Sequence, residues 1–503
     1  MNVNKTAKGT VFIFVATFIG LGISYFFGVL VARFIGPSSY GQFSLGLTLF
    51  NVIAILSVFG LDNAILKYMP EYSNKDQVNN DINLLLSGLI IGGVISVILS
   101  FLFYLNSEYL SNKIFNDEDL SLIFKYFSIG IPAYVLTTIS LSMLQAKHNI
   151  YLRISIKYFS EPLIKILIAG GLLFIGLEIE AAILAFVFSL WFSLILCYIG
   201  LRRNLNISSF SLDEKYGVRS TLRNLFTYSS PLLIGLIFIT VANRSDFILL
   251  GYMKTSFDVG LYAAAFQTTA IIVIVLQSVE SIVAPHISEA LNTKEIEKIN
   301  NIYTMSLRWV VILGVPLFVI FITQAKLILS IFGEEFVAAT TAFVVLATGH
   351  FINLTTGSSN YILLFLGRTK LVMLNQIINS ILIVLLNVLL INEYGILGAA
   401  ISMLVATLVV NVIRIVQVYR ILNIHPYELY LLKPVVAGIL LYVVVLILNN
   451  VDIVYQVPLI FLSILLYVVG LVLLGMREFD KQILLTIFPL LNKLNIRGFR
   501  SLN

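Results

Sequence analysis

Leu30-Val31-Ala32-Arg33-Phe34-Ile35-Gly36-Pro37-Ser38-Ser39-Tyr40-Gly41-Gln42-Phe43 closes one apolar run that starts near Thr10 and opens a second that ends near Leu66. Gly36, Pro37, Ser38 and Ser39 make the turn between them, because proline fixes φ and glycine tolerates φ > 0. About 219 residues later the same design returns as Leu249-Leu250-Gly251 and then Phe257-Asp258-Val259-Gly260-Leu261-Tyr262. Gly41 then corresponds to Gly260, and Phe43 to Tyr262.

The runs belong to a membrane protein. Of 503 residues, 59% are hydrophobic and 12% charged, with a mean hydropathy of +0.98. Soluble domains carry about 25% charged residues, so the chain reads as an all-α polytopic membrane protein. Thr10 to Val31 is too long for the core of a signal peptide, and no small-residue cleavage site follows it. It reads as a first span preceded by Lys5 and Lys8. The lone Cys197 excludes an internal disulfide framework or thiolate metal site. His148, His286, His350 and His425 form no i, i+4 pair and read as interfacial or packing residues. No metal or cofactor is expected, and the absence of a G-x-x-x-x-G-K-[ST] run leaves no ATP loop. The pI of about 9.1 reflects membrane topology rather than a nucleic-acid partner.

A span needs about 20 apolar residues. Fourteen are expected: roughly 10–33, 41–66, 82–105, 122–146, 156–176, 180–201, 227–250, 259–284, 302–323, 338–366, 370–391, 396–420, 431–449 and 456–475. With the N-terminus inside, 25 of the 32 Lys and Arg fall on the cytoplasmic side. Only four (Arg33, Lys113, Lys254 and Lys326) fall outside, and Lys125, Lys165 and Arg244 lie within helices. This asymmetry puts both termini in the cytoplasm of a cell-membrane protein. The cytoplasmic linker 202–226 has Leu212, Val218, Leu222 and Leu225 at amphipathic spacing, and the basic tail 477–503 reads as an interfacial helix on anionic lipid. The outer segment Asn116-Asp117-Glu118-Asp119 reads as a solvated acidic loop rather than a metal site.

The repeat continues along the chain. Thr137-Thr138 matches Thr355-Thr356, and Ala181-Ala182-Ile183 matches Ala399-Ala400-Ile401, both at a shift of 218. The organisation expected is therefore a six-helix bundle at 1–201, the linker, a second bundle at 227–420, two further helices at 421–476 and the tail.

Ionisable groups inside a span are costly and mark candidate sites. Arg244 is the deepest cation, and Asp246 two residues on points elsewhere on the helix. Asp62 and Glu280 are separated by 218 and occupy equivalent places near the cytoplasmic ends of their helices. Glu161 and Lys165 stand at i, i+4 for a local pair or a cavity lining. Tyr25 and Tyr262 are aromatic candidates for stacking on sugar, and Arg33, Lys125 and Arg414 read as snorkelling cations.

Ala32-Arg33-Phe34-Ile35-Gly36-Pro37-Ser38-Ser39-Tyr40-Gly41 resembles the opening A-R-x-L-G-P-x-x-Y-G of the polysaccharide-transporter (Wzx-type) oligosaccharide flippases, in the multidrug/oligosaccharidyl-lipid/polysaccharide superfamily. Asn243 to Gly251 and Val259 to Tyr262 support the resemblance, with Ile35 in place of the usual Leu. It implies two six-helix bundles in a V around a cavity lined mainly by helices one, two, seven and eight. It implies flipping of a lipid-linked oligosaccharide, by a monomer among membrane lipids with glycan-assembly enzymes as partners. On that footing Arg244, Arg33, Asp246 and Tyr25 are the expected substrate contacts, and Asp62, Glu280, Glu161 and Lys165 the gating or ion-coupling groups. The alternatives are a drug or cation antiporter of the same superfamily and a membrane glycan polymerase or ligase.

Overall fold

The computed structural model describes residues 3–73, 77–204, 218–293, 295–448 and 453–474. Among them the chain is helical and contains no strand. Within hydrocarbon a helix satisfies every backbone polar group internally, which an open sheet does not. The longer helices are α1 (Val3–Val58), α2 (Leu61–Ser73), α3 (Gln77–Leu105), α4 (Leu120–Ala146), α5 (Glu161–Phe174), α6 (Ile179–Asn204), α7 (Val218–Met253) and α8 (Ser256–Thr269). They continue as α9 (Ile271–Asn292), α10 (Ile296–Thr323), α11 (Thr340–Leu354), α12 (Thr369–Leu422), α13 (Leu432–Leu448) and α14 (Ile453–Leu473). Nine stretches among the described residues are long and apolar enough to cross a membrane. The 477–503 tail and the middle of the 202–226 linker lie outside the described residues.

Two helices are too long for one crossing. At 1.5 Å per residue, the 56 residues of α1 and the 54 of α12 would each run about 80 Å, against about 30 Å of hydrocarbon. Each is broken once by a glycine: Gly36 at φ 75° and Gly395 at φ 55°. Pro37 follows the first break, where its fixed φ suits the start of a new helix. A further break, at Phe59 (φ 58°) and Gly60 (φ 73°), ends α1 and starts α2 with Asp62 in its first turn. The 41–66 run is therefore interrupted towards its C-terminal end, because two successive residues there leave the helical region.

Left-handed residues recur along the chain. Asn116 and Gly333, His148 and Gly367, and Gly176 and Gly395 all have positive φ, with separations of 217 to 219 residues. The same spacing relates the sequence repeats.

The chain divides into two compact units. The first comprises Met1–Thr268, Leu329–Ala342 and Gln376–Ser402. Its packing centre is Phe127 on α4, with ring centroids 5.7 Å from Phe43, 5.8 Å from Phe50 and 5.5 Å from Phe186. Gly46 and Gly130 leave room for these rings. In the same unit the two motif glycines meet backbone to backbone. A methyl group on Gly41 would overlap the Ser256 carbonyl oxygen, and one on Gly260 would overlap the Pro37 carbonyl oxygen. Pro37 and Ser256 are 219 apart, as are Gly41 and Gly260, so the contact is reciprocal. A self-complementary contact of this kind is what a two-fold relation produces.

The acidic segment 116–119 is not simply solvated. The Asp117 carboxylate accepts from Gln42 Nε2 at 3.1 and 3.0 Å and from Ser256 Oγ at 2.5 Å. It thereby ties both motifs to one loop between helices, through hydrogen bonds to a charged group worth about 1.5–3 kcal/mol each. Earlier in the same loop Glu108 pairs with Lys125 at 2.7 Å, and the hydrogen bond and charge of that lysine hold the Glu108 carboxyl below its usual range.

The second unit comprises Thr269–Ile328, Phe343–Asn375 and Met403–Asn503. Here α13 and α14 dock on α10: Gly438 packs on Val315, Tyr467 donates to the Ile312 carbonyl at 3.1 Å, and Gln456 donates to buried Gln324 at 3.0 Å. Asn375 and Gln417 exchange two amide hydrogen bonds of 2.7 and 2.9 Å.

The glycine crossing generates a test. Gly41→Val is expected to lower the thermal midpoint of the purified protein in detergent, at a cost at or above the upper end of about 1–3 kcal/mol. Gly22→Ala, with no neighbouring heavy atom within 4 Å, is expected to leave the midpoint unchanged or slightly raised.

Candidate functional site

The first half of α1 carries Tyr25, Phe27, Gly28 and Arg33 on neighbouring turns. Gly28 allows the side chain of Gln267, on α8, to lie against the α1 backbone. Gln267 accepts from the Tyr40 hydroxyl at 2.8 Å and donates to the Tyr25 carbonyl at 3.3 Å. Thr268 gives its only hydroxyl proton to the Ala264 carbonyl at 2.8 Å, so the Tyr25 hydroxyl is the donor in its 3.2 Å bond to Thr268. The Tyr25 ring meets Phe332 edge-on at 6.0 Å, and the Tyr40 ring meets Phe336 likewise at 6.1 Å. Tyr25 is half-buried, and its hydroxyl is already engaged. Gln267 was not singled out from the sequence. The signal was there in Tyr40, a motif residue whose hydroxyl needs a partner when buried.

Arg33 is exposed, and one guanidinium nitrogen donates to the Ile331 carbonyl at 3.2 Å. Arg244, on α7, is half-buried. Its guanidinium lies 6.0 Å from the Phe247 ring centroid and makes no hydrogen bond or ion pair among the described residues. Asp246 is only 6% exposed. One of its oxygens accepts from the Tyr262 hydroxyl at 2.8 Å and the other from the Phe247 amide at 2.9 Å. Tyr262 is fully buried, stacked on Phe266 and edge-on to Phe247. Arg244 and Asp246 therefore sit two residues apart in unlike settings: the carboxylate holds two hydrogen bonds, while the guanidinium holds none and feels the Asp246 charge only through space.

The other candidates lie apart. Asp62, half-buried in the first turn of α2, accepts from Asn63 at 3.2 Å. Glu161 sits between Lys157 at 3.0 Å and Lys165 at 3.9 Å. In the second unit, half-buried Glu280 on α9 feels the charge of Arg414 on α12 without a direct ion pair, and Arg414 donates to Asn411 at 3.3 Å. A surface cavity of about 680 Å³ opens where α9 meets α10, lined by His286, Glu295, Glu297, Lys298 and Asn301, and contains none of the candidates.

Residues 6–291, more than half of the chain, match the model of the polysaccharide biosynthesis protein family. The chain belongs to that family. Residues 231–389 also match the MatE model. One relative is the "Probable low-salt glycan biosynthesis flippase Agl15" of Haloferax volcanii, 24% identical over 405 residues, covering 79% of this chain and 80% of that protein. Another is the "Putative O-antigen transporter" of Shigella flexneri, 22% identical over 379 residues, covering 74% and 88%. Among solved structures, the lipid II flippase MurJ in an inward closed conformation aligns with a TM-score of 0.73 at 16% identity, covering 91% of this chain and 98% of that one. The fold of this family member is thus the MurJ/MATE-like fold of the multidrug/oligosaccharidyl-lipid/polysaccharide superfamily, and the matches put it among transporters, not enzymes.

The Asp246 setting yields an expected outcome. Tyr262→Phe removes one of the two donors from a buried carboxylate, at a cost of about 1–3 kcal/mol. A fall in the thermal midpoint, relieved when Asp246→Asn is combined with it, is the result to look for by scanning fluorimetry.

Proposed function

We propose that this chain flips a lipid-linked oligosaccharide, joined through phosphate or pyrophosphate, from the cytoplasmic to the outer face of the cell membrane by alternating access, for surface polysaccharide synthesis. The observation that carries the reading is Arg244: a half-buried guanidinium with no hydrogen bond or ion pair among the described residues, on a helix within the family match. A half-buried guanidinium with no hydrogen-bond partner calls for water or an anion. Guanidinium suits phosphate because its planar donors reach two oxygens at once. A phosphate and a glycan cannot cross hydrocarbon unaided, so a polar path is what such a cargo requires. The named glycan flippase and O-antigen transporter among the relatives support this cargo class.

The plan we adopt has fourteen spans, as two six-helix bundles (1–201 and 227–420) in a V, and two further helices, with both termini cytoplasmic. The glycine breaks within α1 and α12 support counting two spans in each. Arg33 serves as a second phosphate-facing cation. Asp62 and Glu280 serve as the gating or ion-coupling carboxylates. A drug-antiporter reading is favoured by one observation, the MatE match over 231–389. The open cation Arg244 speaks for an anionic cargo instead.

Arg244→Ala is expected to abolish surface glycan export in complemented cells while the protein still inserts, with Arg244→Lys restoring only part of it. Full export by a well-expressed Arg244→Ala protein removes this residue from the transport path. Drug resistance conferred by the wild-type chain without glycan export supports the antiporter reading. For topology, single cysteines at positions 113 and 215 in a Cys197→Ser background are expected to label from outside and inside respectively, and outside labelling of position 215 overturns the orientation.

A further inference from the structure

Among the described residues, the ion pairs of Lys125 with Glu108, Lys147 with Asp81 and Lys298 with Glu289 match one cation to one anion. The group on α5 does not. Lys157, Glu161 and Lys165 lie at i, i+4 and i+8, so they form one stripe, with two ammonium groups on a single carboxylate. Lys157 belongs to the π-helical turn Ser155–Ser160 that leads into α5, a local widening that recurs at functional sites. It donates to both Glu161 oxygens, at 3.3 and 3.0 Å, so the Glu161 carboxylate is occupied mainly from that side.

Lys165 is left short of partners. Its side chain is 12% exposed, and its ammonium is 3.9 Å from Glu161, beyond hydrogen-bond reach. It makes no hydrogen bond among the described residues. Its remaining neighbours are ring faces, Phe27 of α1 at 5.6 Å and Phe186 of α6 at 4.8 Å from the ring centroids. Ring faces attract a cation but accept none of its three hydrogens in the way an oxygen does. The stripe thus carries one uncompensated positive charge and one ammonium with donors to spare.

We infer that Lys165 is a binding point for the phosphate of the lipid linker, and that Glu161 is the resident anion competing with that phosphate for it. This rests on the flippase reading above and adds to it a phosphate contact inside the first unit, separate from Arg244. The walls of the site favour phosphate over an acidic sugar. Phe27 and Phe186 are 6% and 8% exposed and offer no hydrogen-bond partner to a sugar's hydroxyls, which would be costly to desolvate. A linker phosphate joins directly to a hydrocarbon chain, so apolar walls beside the cation suit it.

The test is saturation binding of a sugar-free polyprenyl phosphate to the full chain in nanodiscs of zwitterionic phosphatidylcholine. Lys165→Gln is expected to weaken binding about tenfold, the scale of one charge-assisted hydrogen bond. Glu161→Gln is expected to tighten it by a similar factor, a gain that a misfolded protein cannot produce. Glu108→Gln, which removes a paired carboxylate from the loop between helices, is expected to change nothing. If the wild type binds and both α5 variants bind equally well, the site is overturned and the flippase reading survives. No saturable binding by the wild type overturns both. Displacement of the probe by glucuronate in a Lys165-dependent manner assigns the lysine to a sugar carboxylate and overturns the phosphate assignment.

Discussion

Two helix backbones touch at Gly41 and Gly260, and no side chain fits between them. In hydrocarbon, helices gain little from hiding apolar surface from one another, since lipid is equally apolar. Close packing and hydrogen bonds must hold them instead. The contact at the two glycines brings α1 near enough to α8 for short polar side chains to reach across. Gln267 bonds Tyr40 and Tyr25, and Thr268 bonds Tyr25, only because the separation is that small. Asp117 then reaches both motifs from a single loop. Removing the glycines would undo a layer of hydrogen bonds as well as a packing contact.

The charges follow the same economy. Five ion pairs form among the described residues, and other cations lie over aromatic rings, as Lys67 does over Tyr228 at 4.1 Å. Asp246 is satisfied by a hydroxyl and an amide rather than by the arginine two residues away. Arg244 and Lys165 are left with ring faces nearby and no hydrogen bond among the described residues.

Much of the fold was legible in the sequence. Gly36 and Pro37 marked the first break, and the offset near 218 was visible in short identities. That left-handed residues at Asn116 and Gly333, His148 and Gly367, and Gly176 and Gly395 share nearly the same spacing emerged only from the backbone. Composition identified a helical membrane protein, because long apolar runs without alternation admit little else. The break at Phe59 and Gly60 was not legible, since an apolar run continues through it and only the backbone leaves the helix. Of the candidate residues, Arg244 was readable as an open cation and Glu161 with Lys165 as an i, i+4 pair. The structural roles of Gln267, Lys157 and Asp117 were not, because each depends on what lies across from it and not on local spacing. Tyr262 was read as a sugar-stacking candidate, yet it is a buried partner of Asp246. An aromatic ring is equally at home against a ligand or a core.

Asp117 has one more consequence. It belongs to the first copy of the repeat but bonds Ser256 of the second, and its counterpart after the left-handed Gly333, the exposed Glu334, makes no hydrogen bond among the described residues. The two positions share a backbone neighbourhood but not a bonding role. One carboxylate therefore serves both sides of the glycine crossing, and its loss releases Gln42 and Ser256 together.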